Sequence, residues 1–454
     1  MSSTTTVPRD ADRDLSTAYS RSERAIPRRV LRPVDRFLRL EVASGALLMA
    51  AALVALAWAN GPWHHAYEQL WHTELGLELG PWAIRHDLHH WVNDGLMAIF
   101  FAVVGLEIKR ELVHGQLRDR RAAALPAIAA LGGMVVPALV YVLLNAGAPG
   151  ASGWGIPMAT DIAFAIGVLA LVGNRVPTSL KVFLLTLAVA DDIGAIAVIA
   201  VFYSSGVALG WLAGAAACFA AIALGRRAGI RHLAPYLVLA VAAWFCLLES
   251  GVHATIAGVV VGLLTPATPF HRAGAAARAV TARVAAVHGD HETALSSNEE
   301  HDESMLWEAS RIAREGVSPL YRLEHSLHAW SAFAILPLFA LANAGVRISG
   351  EGFAVDGATA AALGVGLGLL VGKPLGIVLA TTLALRLGVG SLPSGMTLRH
   401  VAGAGLLGGI GFTVALFVAG LAFTSHDIAS AAKVGILCGS LLAGAAGYAL
   451  LRRR

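Results

Sequence analysis

Long, continuous runs of apolar residues are the feature of this sequence that most restricts its fold. A helix that spans a membrane needs roughly 20 mostly apolar residues, and about twelve runs approach that length. Each run is apolar throughout rather than at every second residue, which indicates helices and not a barrel of strands. The predicted fold class is therefore an all-α polytopic membrane protein with about 12 transmembrane helices. The runs lie near residues 42–59, 92–108, 122–144, 156–173, 178–203, 206–225, 233–249, 251–266, 327–345, 357–385, 401–423 and 428–450.

The distribution of basic residues predicts how these helices are oriented. Of the 34 Lys and Arg residues, 30 fall on one side when the runs cross the membrane in order, and nine of these are Arg residues in positions 1–41. Arg85, Arg347 and Lys433 fall on the other side. Because cytoplasmic segments carry the excess of Lys and Arg, both termini are expected to be cytoplasmic. Topology thus accounts for the net charge of +4, and nucleic-acid binding is not expected.

Polar stretches divide the chain into a membrane domain and cytoplasmic segments. Residues 1–41 form a basic N-terminal tail that lacks the apolar core of a cleavable signal peptide. We expect this tail to be disordered and to lie along anionic lipid headgroups. Residues 42–450 form the transmembrane domain, within which residues 267–324 are predicted to be a long cytoplasmic loop. Residues 451–454 form a cytoplasmic C-terminal tail.

Two groups of residues could in principle bind a metal cofactor, and neither is expected to do so. The cysteines Cys218, Cys246 and Cys438 lie in apolar runs and are predicted to be core residues. In the long loop, the spacing of the acidic and histidine side chains is irregular, so a solvated, partly disordered tract is favoured over a metal site. This tract, 288–308, contains His288, Asp290, His291, Glu292, Glu299, Glu300, His301, Asp302, Glu303 and Glu308.

The segment between the first two runs has the pattern of a strand. Leucines at positions 75, 77 and 79 alternate with polar or small residues, and Gly80-Pro81 follows them. Period-two alternation that ends in Gly-Pro is typical of a strand and a turn. The sequence therefore predicts a small β-hairpin on the outward side of the membrane.

Two runs are interrupted by residues that break helices. The fourth, "IPMATDIAFAIGVLALVG", begins with Ile156-Pro157 and contains Thr160-Asp161 before its apolar half. The eleventh, "GLLGGIGFTVALFVAG", contains four glycines within residues 405–411. Interrupted runs in both halves of a chain predict two discontinuous helices that cross near the middle of the bilayer. For the glycines alone, tight packing between straight helices is the alternative.

Ionisable residues inside the runs are the strongest indication of function. Each costs roughly 2.5–3.5 kcal/mol at the centre of a bilayer, so it is retained where it is paired, hydrated or used in transport. The runs contain four acidic residues and a single basic one, and this surplus of negative charge favours binding of a cation. The ionisable residues are Asp94, Asp161, Asp191, Asp192 and Lys373, with Glu107 and Glu111 at the end of the second run.

Asp191 and Asp192 are adjacent within the apolar segment "AVADDIGA". Neighbouring residues on a helix point about 100° apart, so one carboxylate can meet Lys373 while the other faces a cavity. Burial and like charge both disfavour ionisation of the pair, which favours proton binding at physiological pH. Sodium would compete for the same oxygens, with help from the Thr160 hydroxyl. For Asp161, helix capping and cation binding are both open.

Eight segments, in order, resemble the NhaA-type bacterial sodium/proton antiporters over about residues 37–454, apart from part of 267–320. They are "FFAVVGLEIKREL", "IPMATDIAFAIGVLALVGNRVP", "LAVADDIGAIAVIAVFY", "SGVHATIAGVVVG", "LEHSLHAW", "LPLFALANAG", "VGKPLG" and "GIGFTVALFVAGLAF". The resemblance implies inverted-topology repeats, a homodimer with the hairpin at its interface near 71–86, and location in the plasma (inner) membrane. It also implies no cofactor, with sodium, lithium and protons as the transported ions.

The resemblance also implies roles for individual residues. Asp192 would be the principal carboxylate that binds Na⁺ and protons, with Asp191 as its neighbour and the partner of Lys373. Thr160 and Asp161 would lie at the helix crossing. Asp94 would have a lesser role. The residues implied in pH regulation are Glu107, Arg110, Glu111, His253, Glu324, His325 and His328. Without the resemblance, a charged helix end or a packed polar side chain would explain each of these as well.

The function predicted is an electrogenic antiporter, a transporter and not an enzyme, that expels cytoplasmic sodium or lithium as protons enter. The sequence contains no phosphate-binding Gly-Lys-Ser/Thr loop, so ATP is not implied. An intramembrane aspartyl protease is one alternative, although it needs two Asp residues from separate helices. A passive cation channel is another, and it would not couple cation flow to protons.

Overall fold

The computed structural model describes residues 41–79, 82–204, 206–230, 233–293, 299–348 and 354–453. The N-terminal tail predicted to be disordered and the Gly80-Pro81 turn lie outside these ranges. The α-helices are α1 (Glu41–Ala59), α2 (His64–Trp71), α3 (Leu88–His90), α4 (Met97–Val113), α5 (Arg120–Asn145), α6 (Ile162–Val172), α7 (Thr178–Phe202), α8 (Leu209–Arg227), α9 (Leu233–Ser250), α10 (Thr255–Leu264), α11 (Ala273–Thr293), α12 (Glu299–Glu315), α13 (Pro319–Trp330), α14 (Leu336–Asn343), α15 (Ala358–Leu367), α16 (Lys373–Arg386), α17 (Leu398–Gly408), α18 (Phe412–Ala422) and α19 (His426–Arg452).

Shorter helical turns connect several of these elements. The 3₁₀-helices are Gln116–Arg118, Ala151–Met158 and Gly173–Arg175, and the π-helical turns are Trp91–Leu96, Ser331–Ile335 and Gly368–Gly372. Each π-helical turn passes directly into the following α-helix with right-handed helical dihedrals. The last one ends immediately before Lys373, and such turns are frequent at functional sites.

The helices confirm a membrane protein that crosses the bilayer many times. Across the described ranges, seven continuous helical stretches are long and apolar enough to span a membrane, or ten if each of three bent pairs counts as one span. The two remaining predicted runs correspond to α10, which is short, and to α4, which carries charged residues at one end. The count of twelve and the inverted repeats stay predictions. The continuous stretches are Arg121–Asn145, Thr178–Phe202, Leu209–Arg227, Leu233–Ser250, Pro319–Asn343, Ala358–Arg386 and His426–Arg452.

The predicted β-hairpin is confirmed. Strands β1 (Glu74–Leu79) and β2 (Trp82–Asp87) pair in antiparallel register, with Glu74 opposite Asp87. The Asp87 side chain caps α3 by accepting from the His90 N–H at 2.8 Å. Partial burial raises the pKa of Asp87, but this hydrogen bond and the His72 ring outweigh it and hold that pKa below its ordinary value.

The segment 267–324, predicted to be a long cytoplasmic loop between spans, contains the helices α11 and α12 and the beginning of α13. Its position on the cytoplasmic side stays a prediction. The helices α11 and α12 pack against each other, and Arg283 Nη2 lies 2.9 Å from Glu308 Oε1. The α11 sequence is rich in alanine, a strong helix former, whereas the prediction relied on low hydrophobicity alone. The side chains of 286–301, which include most of the acidic His-containing tract, lie outside the described part of the chain.

Close packing of α5 against α16 determines the position of Lys373, the one basic residue predicted inside an apolar run. A side chain on Gly132 in α5 or on Gly376 in α16 would collide with the backbone of the other residue, so the two helices touch directly. Lys373 begins α16 one turn before this contact and is fully buried. The backbone contact therefore fixes where Lys373 enters the centre of the molecule.

Candidate functional site

The two interrupted spans meet at their breaks. The first is bent by 41° between Ala151–Met158 and α6, and the second by 48° between α17 and α18. At the crossing, the backbone N–H of Asp161 donates to the carbonyl of Ile410 at 2.6 Å. Irregular backbone is tolerated inside a membrane protein where other parts of the protein satisfy its polar groups.

Asp161 caps both half-helices that begin at the crossing. Its Oδ1 accepts from the Phe164 N–H at 3.1 Å, and its Oδ2 accepts from the Thr413 N–H at 3.1 Å and the Thr413 hydroxyl at 2.6 Å. Helix N-termini carry partial positive charge and unpaired N–H groups, so one buried carboxylate stabilises α6 and α18 together. Both Asp161 oxygens are occupied by capping bonds in this arrangement.

The two half-helices that end at the crossing have backbone carbonyl groups without partners in their own helix, and two of these carbonyls accept hydrogen bonds from side chains. Lys373 Nζ donates to the carbonyl of Met158, the last residue of the 3₁₀-helix. The Thr160 hydroxyl lies 2.9 Å from the carbonyl of Gly408, the last residue of α17. A cation and a hydroxyl therefore stabilise the negative ends of the two half-helices.

Asp191 forms the buried ion pair of the site. Lys373 Nζ lies 2.6 Å from Asp191 Oδ2, and neither side chain has any exposed surface. The Thr160 hydroxyl lies 2.6 Å from the same oxygen. Asp191 Oδ1 has no hydrogen-bond partner among the described residues. One carboxylate oxygen of Asp191 therefore accepts hydrogen bonds from two donors, and the other accepts none from the described residues.

Asp192 differs from its neighbour. It is 7% exposed, and it makes no hydrogen bond or ion pair within the described part of the chain. An ionised carboxylate buried without a partner is costly, so a bound proton or cation is expected to neutralise it. The adjacent carboxylates therefore have different surroundings, one fixed by Lys373 and Thr160 and the other free to bind an ion.

Groups that the sequence did not single out complete this site. The Thr413 hydroxyl and the carbonyls of Met158 and Gly408 all take part in hydrogen bonds at the crossing. Thr413 is the second residue of α18, and its N–H and hydroxyl both donate to Asp161. A hydroxyl side chain directly after the glycine-rich break was a usable signal. The two carbonyls carry no side-chain signal.

A second group of charged residues lies at the C-terminal end of α4. Arg110 forms an ion pair with Glu324 of α13, and its Nη2 lies 3.8 Å from Glu111 Oε1. Glu324 is buried although its partner is half-exposed. Glu107 lies one turn before Glu111 on α4. His325 and His328 are exposed on α13, where the His325 ring stacks on Tyr321 at 5.9 Å.

His253, predicted to belong with these charges, lies at the other end of α4. Helix α10 runs alongside α4 in the same direction, because a side chain on Gly258 would meet Ala98 and one on Gly262 would meet Leu106. His253 precedes α10 and is therefore beside the beginning of α4. The structure does not bring His253 together with Arg110 and Glu324, and its implied role in pH regulation stays a prediction.

Asp94 is likewise separate from the Asp191–Lys373 pair. Its Oδ2 lies 3.3 Å from His90 Nε2, and its backbone carbonyl accepts from Trp244 Nε1 at 2.8 Å. It lies in the π-helical turn before α4. Among the described residues, no three His, Cys, Asp or Glu side chains are arranged to hold a metal ion, so sodium at Asp191 and Asp192 would need hydroxyl or carbonyl oxygens as further ligands.

Comparison with known proteins identifies the family of this chain. The family model described as Na⁺/H⁺ antiporter 1 matches residues 35–451. The "Na(+)/H(+) antiporter NhaA 2" of Sorangium cellulosum is 48% identical, covering 94% of this chain and 91% of the relative. The protein of the same name from Myxococcus xanthus is 49% identical, covering 90% and 86%.

A solved structure shares the fold at much lower sequence identity. The sodium proton antiporter MjNhaP1 from Methanocaldococcus jannaschii superposes with a TM-score of 0.50 at 13% identity, covering 92% of this chain and 97% of that one. The family model matches nearly the whole chain, and the relatives are almost 50% identical to it. Together these matches establish the family. This chain is a member of the Na⁺/H⁺ antiporter 1 family.

Proposed function

We propose that the protein is a secondary transporter, not an enzyme, that exchanges cytoplasmic Na⁺ or Li⁺ for protons entering from outside. The observation that carries the proposal is the pair of adjacent buried carboxylates. Asp191 is bound by Lys373, and Asp192 has no partner in the described structure. The names of the relatives, which are Na⁺/H⁺ antiporters, support the same choice of ions.

Competition for the carboxylate oxygens couples the two fluxes. A proton on Asp192 neutralises it in one state, and a sodium ion neutralises it in the other. A sodium ion that also engages Asp191 breaks the bond to Lys373, which then releases its own proton. Two protons would then move against one sodium ion, and the exchange is electrogenic.

Alternating access follows from movement of one helical bundle against the other around the crossing. Inverted repeats around that crossing would give the two states similar geometry. The excess of Lys and Arg on one side favours cytoplasmic termini, and the resemblance to bacterial antiporters supports insertion in the plasma (inner) membrane. The β-hairpin is the surface proposed for a homodimer, with lipid around the remaining helices.

The exchange is tested with a pH-sensitive dye in inverted membrane vesicles that have an acidic interior. Adding NaCl or LiCl between pH 7 and 9 should dissipate the pH gradient, since each cation entering releases protons. A passive channel would carry sodium without moving protons, and a protease would do neither. Absence of cation-dependent dissipation in vesicles that contain the protein would overturn the proposal.

The ion pair between Arg110 and Glu324 is proposed to set the pH dependence of exchange, together with Glu107, Glu111, His325 and His328. Glu324→Gln makes the local potential more positive, which favours deprotonation of nearby groups. Activation is therefore expected about half a pH unit lower, as for a charge pair of modest strength whose arginine is half-exposed to solvent. Arg110→Gln should move activation in the opposite direction.

The control is Arg322→Gln, which removes an exposed charge on the same helix and should leave the profile unchanged. The measurement is the rate of sodium-dependent proton release as a function of pH at saturating sodium. Shifts in the same direction for Arg110→Gln and Glu324→Gln would contradict an electrostatic role for the pair.

A further inference from the structure

A serine on the last helix accepts two hydrogen bonds from the break in the second discontinuous span. The backbone N–H groups of Gly411 and Phe412 each donate to Ser440 Oγ, at 3.2 Å in both cases. Ser440 is buried within α19, and the two N–H groups belong to the beginning of α18. Such N–H groups have no partner within their own helix, so inside a membrane each needs an acceptor from elsewhere.

Helix α19 lies along both halves of the broken span. A side chain on Gly447 would meet Leu407 in α17, and one on Gly444 would meet Ile410 in the break. Ser440 lies on the same face, one turn further towards the beginning of α19. This helix is continuous for 27 residues, so it provides a straight surface against which the two half-helices are held.

A short series of hydrogen bonds connects Ser440 to the ion pair. The next N–H along α18, that of Thr413, donates to Asp161 Oδ2 at 3.1 Å. The residue before Asp161 is Thr160, whose hydroxyl lies 2.6 Å from Asp191 Oδ2. A displacement of the start of α18 would therefore be passed on to the Thr160 hydroxyl through one carboxylate and one peptide unit.

We infer that Ser440 is a positioning residue for the cation site of the proposed antiporter. By holding the first two N–H groups of α18, it fixes Asp161 and thereby the position of the Thr160 hydroxyl relative to Asp191. It acts through the backbone of α18. The transport part of the inference rests on the proposed function, and the structural part does not.

The structural part is tested by amide hydrogen exchange in the intact protein in lipid nanodiscs, monitored over residues 409–416. Ser440→Ala removes the acceptor, and exchange in this segment is expected to rise about tenfold, as for loss of a typical hydrogen bond. Ser440→Thr keeps the hydroxyl and should resemble the original protein. The matched control is Ser430→Ala, on the same helix, whose hydroxyl lies 3.5 Å from His426 instead of the break.

The functional part is tested by the sodium dependence of exchange in vesicles. Ser440→Ala is expected to raise the apparent KM for sodium about three- to tenfold, with kcat nearly unchanged. Ser440→Thr should restore the KM, and Ser430→Ala should not alter it. Ser440→Cys keeps the approximate volume of the side chain but is a weaker acceptor, so it should give an intermediate KM. This variant replaces Ser440→Ala in the test if Ser440→Ala does not fold.

The outcomes separate this inference from the proposed function. Unchanged amide exchange in Ser440→Ala would overturn the capping contact, and faster exchange with an unchanged KM would overturn the positioning role. A fall in kcat at constant KM would also overturn it. If the unsubstituted protein shows no cation-dependent proton movement, the proposed function fails, whereas amide exchange still decides whether Ser440 holds α18.

Discussion

Asp192→Asn is expected to abolish sodium-dependent proton exchange while leaving the fold intact. The substitution keeps the size of the side chain and removes the negative charge that both transported ions would bind. A loss of about 100-fold is expected, since an interaction with a charged group is worth about 3 kcal/mol at the upper end of its range. The rate is measured as dissipation of an acid-inside pH gradient after addition of NaCl.

Because Asp192 has no partner among the described residues, its replacement should leave the melting temperature within a few degrees of the original. The matched control is Asp427→Asn, which removes a carboxylate from the exposed start of α19 and should retain full exchange. Full exchange by Asp192→Asn would show that the ions bind elsewhere, even if the protein is an antiporter.

Lys373→Met is expected to be the most destabilising single change at the site. It leaves the Asp191 carboxylate fully buried with only the Thr160 hydroxyl beside it, and it removes the donor to the Met158 carbonyl. Loss of one partner of a buried ion pair typically costs about 3–5 kcal/mol. The measurement is thermal unfolding of the purified protein, followed by the loss of monodisperse protein on heating.

A double substitution separates the ion pair from general packing. Lys373→Met combined with Asp191→Asn removes both charges, so it should be more stable than Lys373→Met alone. Lys433→Met is the control, because Lys433 is a lysine of α19 that forms no ion pair within the described ranges. If the double variant were as unstable as the sum of the single variants, the charge pairing would not be the source of stability.

Much of the site could be predicted because buried charge is rare in an apolar chain. Asp191, Asp192 and Lys373 stand out in any apolar segment, and the hydrogen-bond geometry assigns Lys373 to Asp191. The breaks were visible as Thr160-Asp161 and as clustered glycines. What stayed open was whether Asp161 caps or binds, since that depends on the direction of N–H groups from a helix far away in sequence.

Other features depended on tertiary neighbours and could not be read from one sequence. Ser440 is an ordinary polar residue in a long helix until the start of α18 is placed against it. The resemblance grouped His253 with Arg110 in pH regulation, whereas the packing of α10 on α4 places the two residues at opposite ends of α4. The segment 267–324 was predicted to be a loop because it is polar, although its alanine-rich part favours a helix.

Competition between sodium and protons at Asp192 is measured most directly as proton release during sodium binding. Purified protein in weakly buffered solution is titrated with NaCl at constant pH while the released protons are counted, alongside the Asp192→Asn variant. Sodium binding is expected to release at least about one proton per ion from the unsubstituted protein, because the ligand carboxylate must be deprotonated. The Asp192→Asn variant is expected to release none. Equal proton release by Asp192→Asn, or sodium binding without any release by the unsubstituted protein, would contradict competition at this carboxylate.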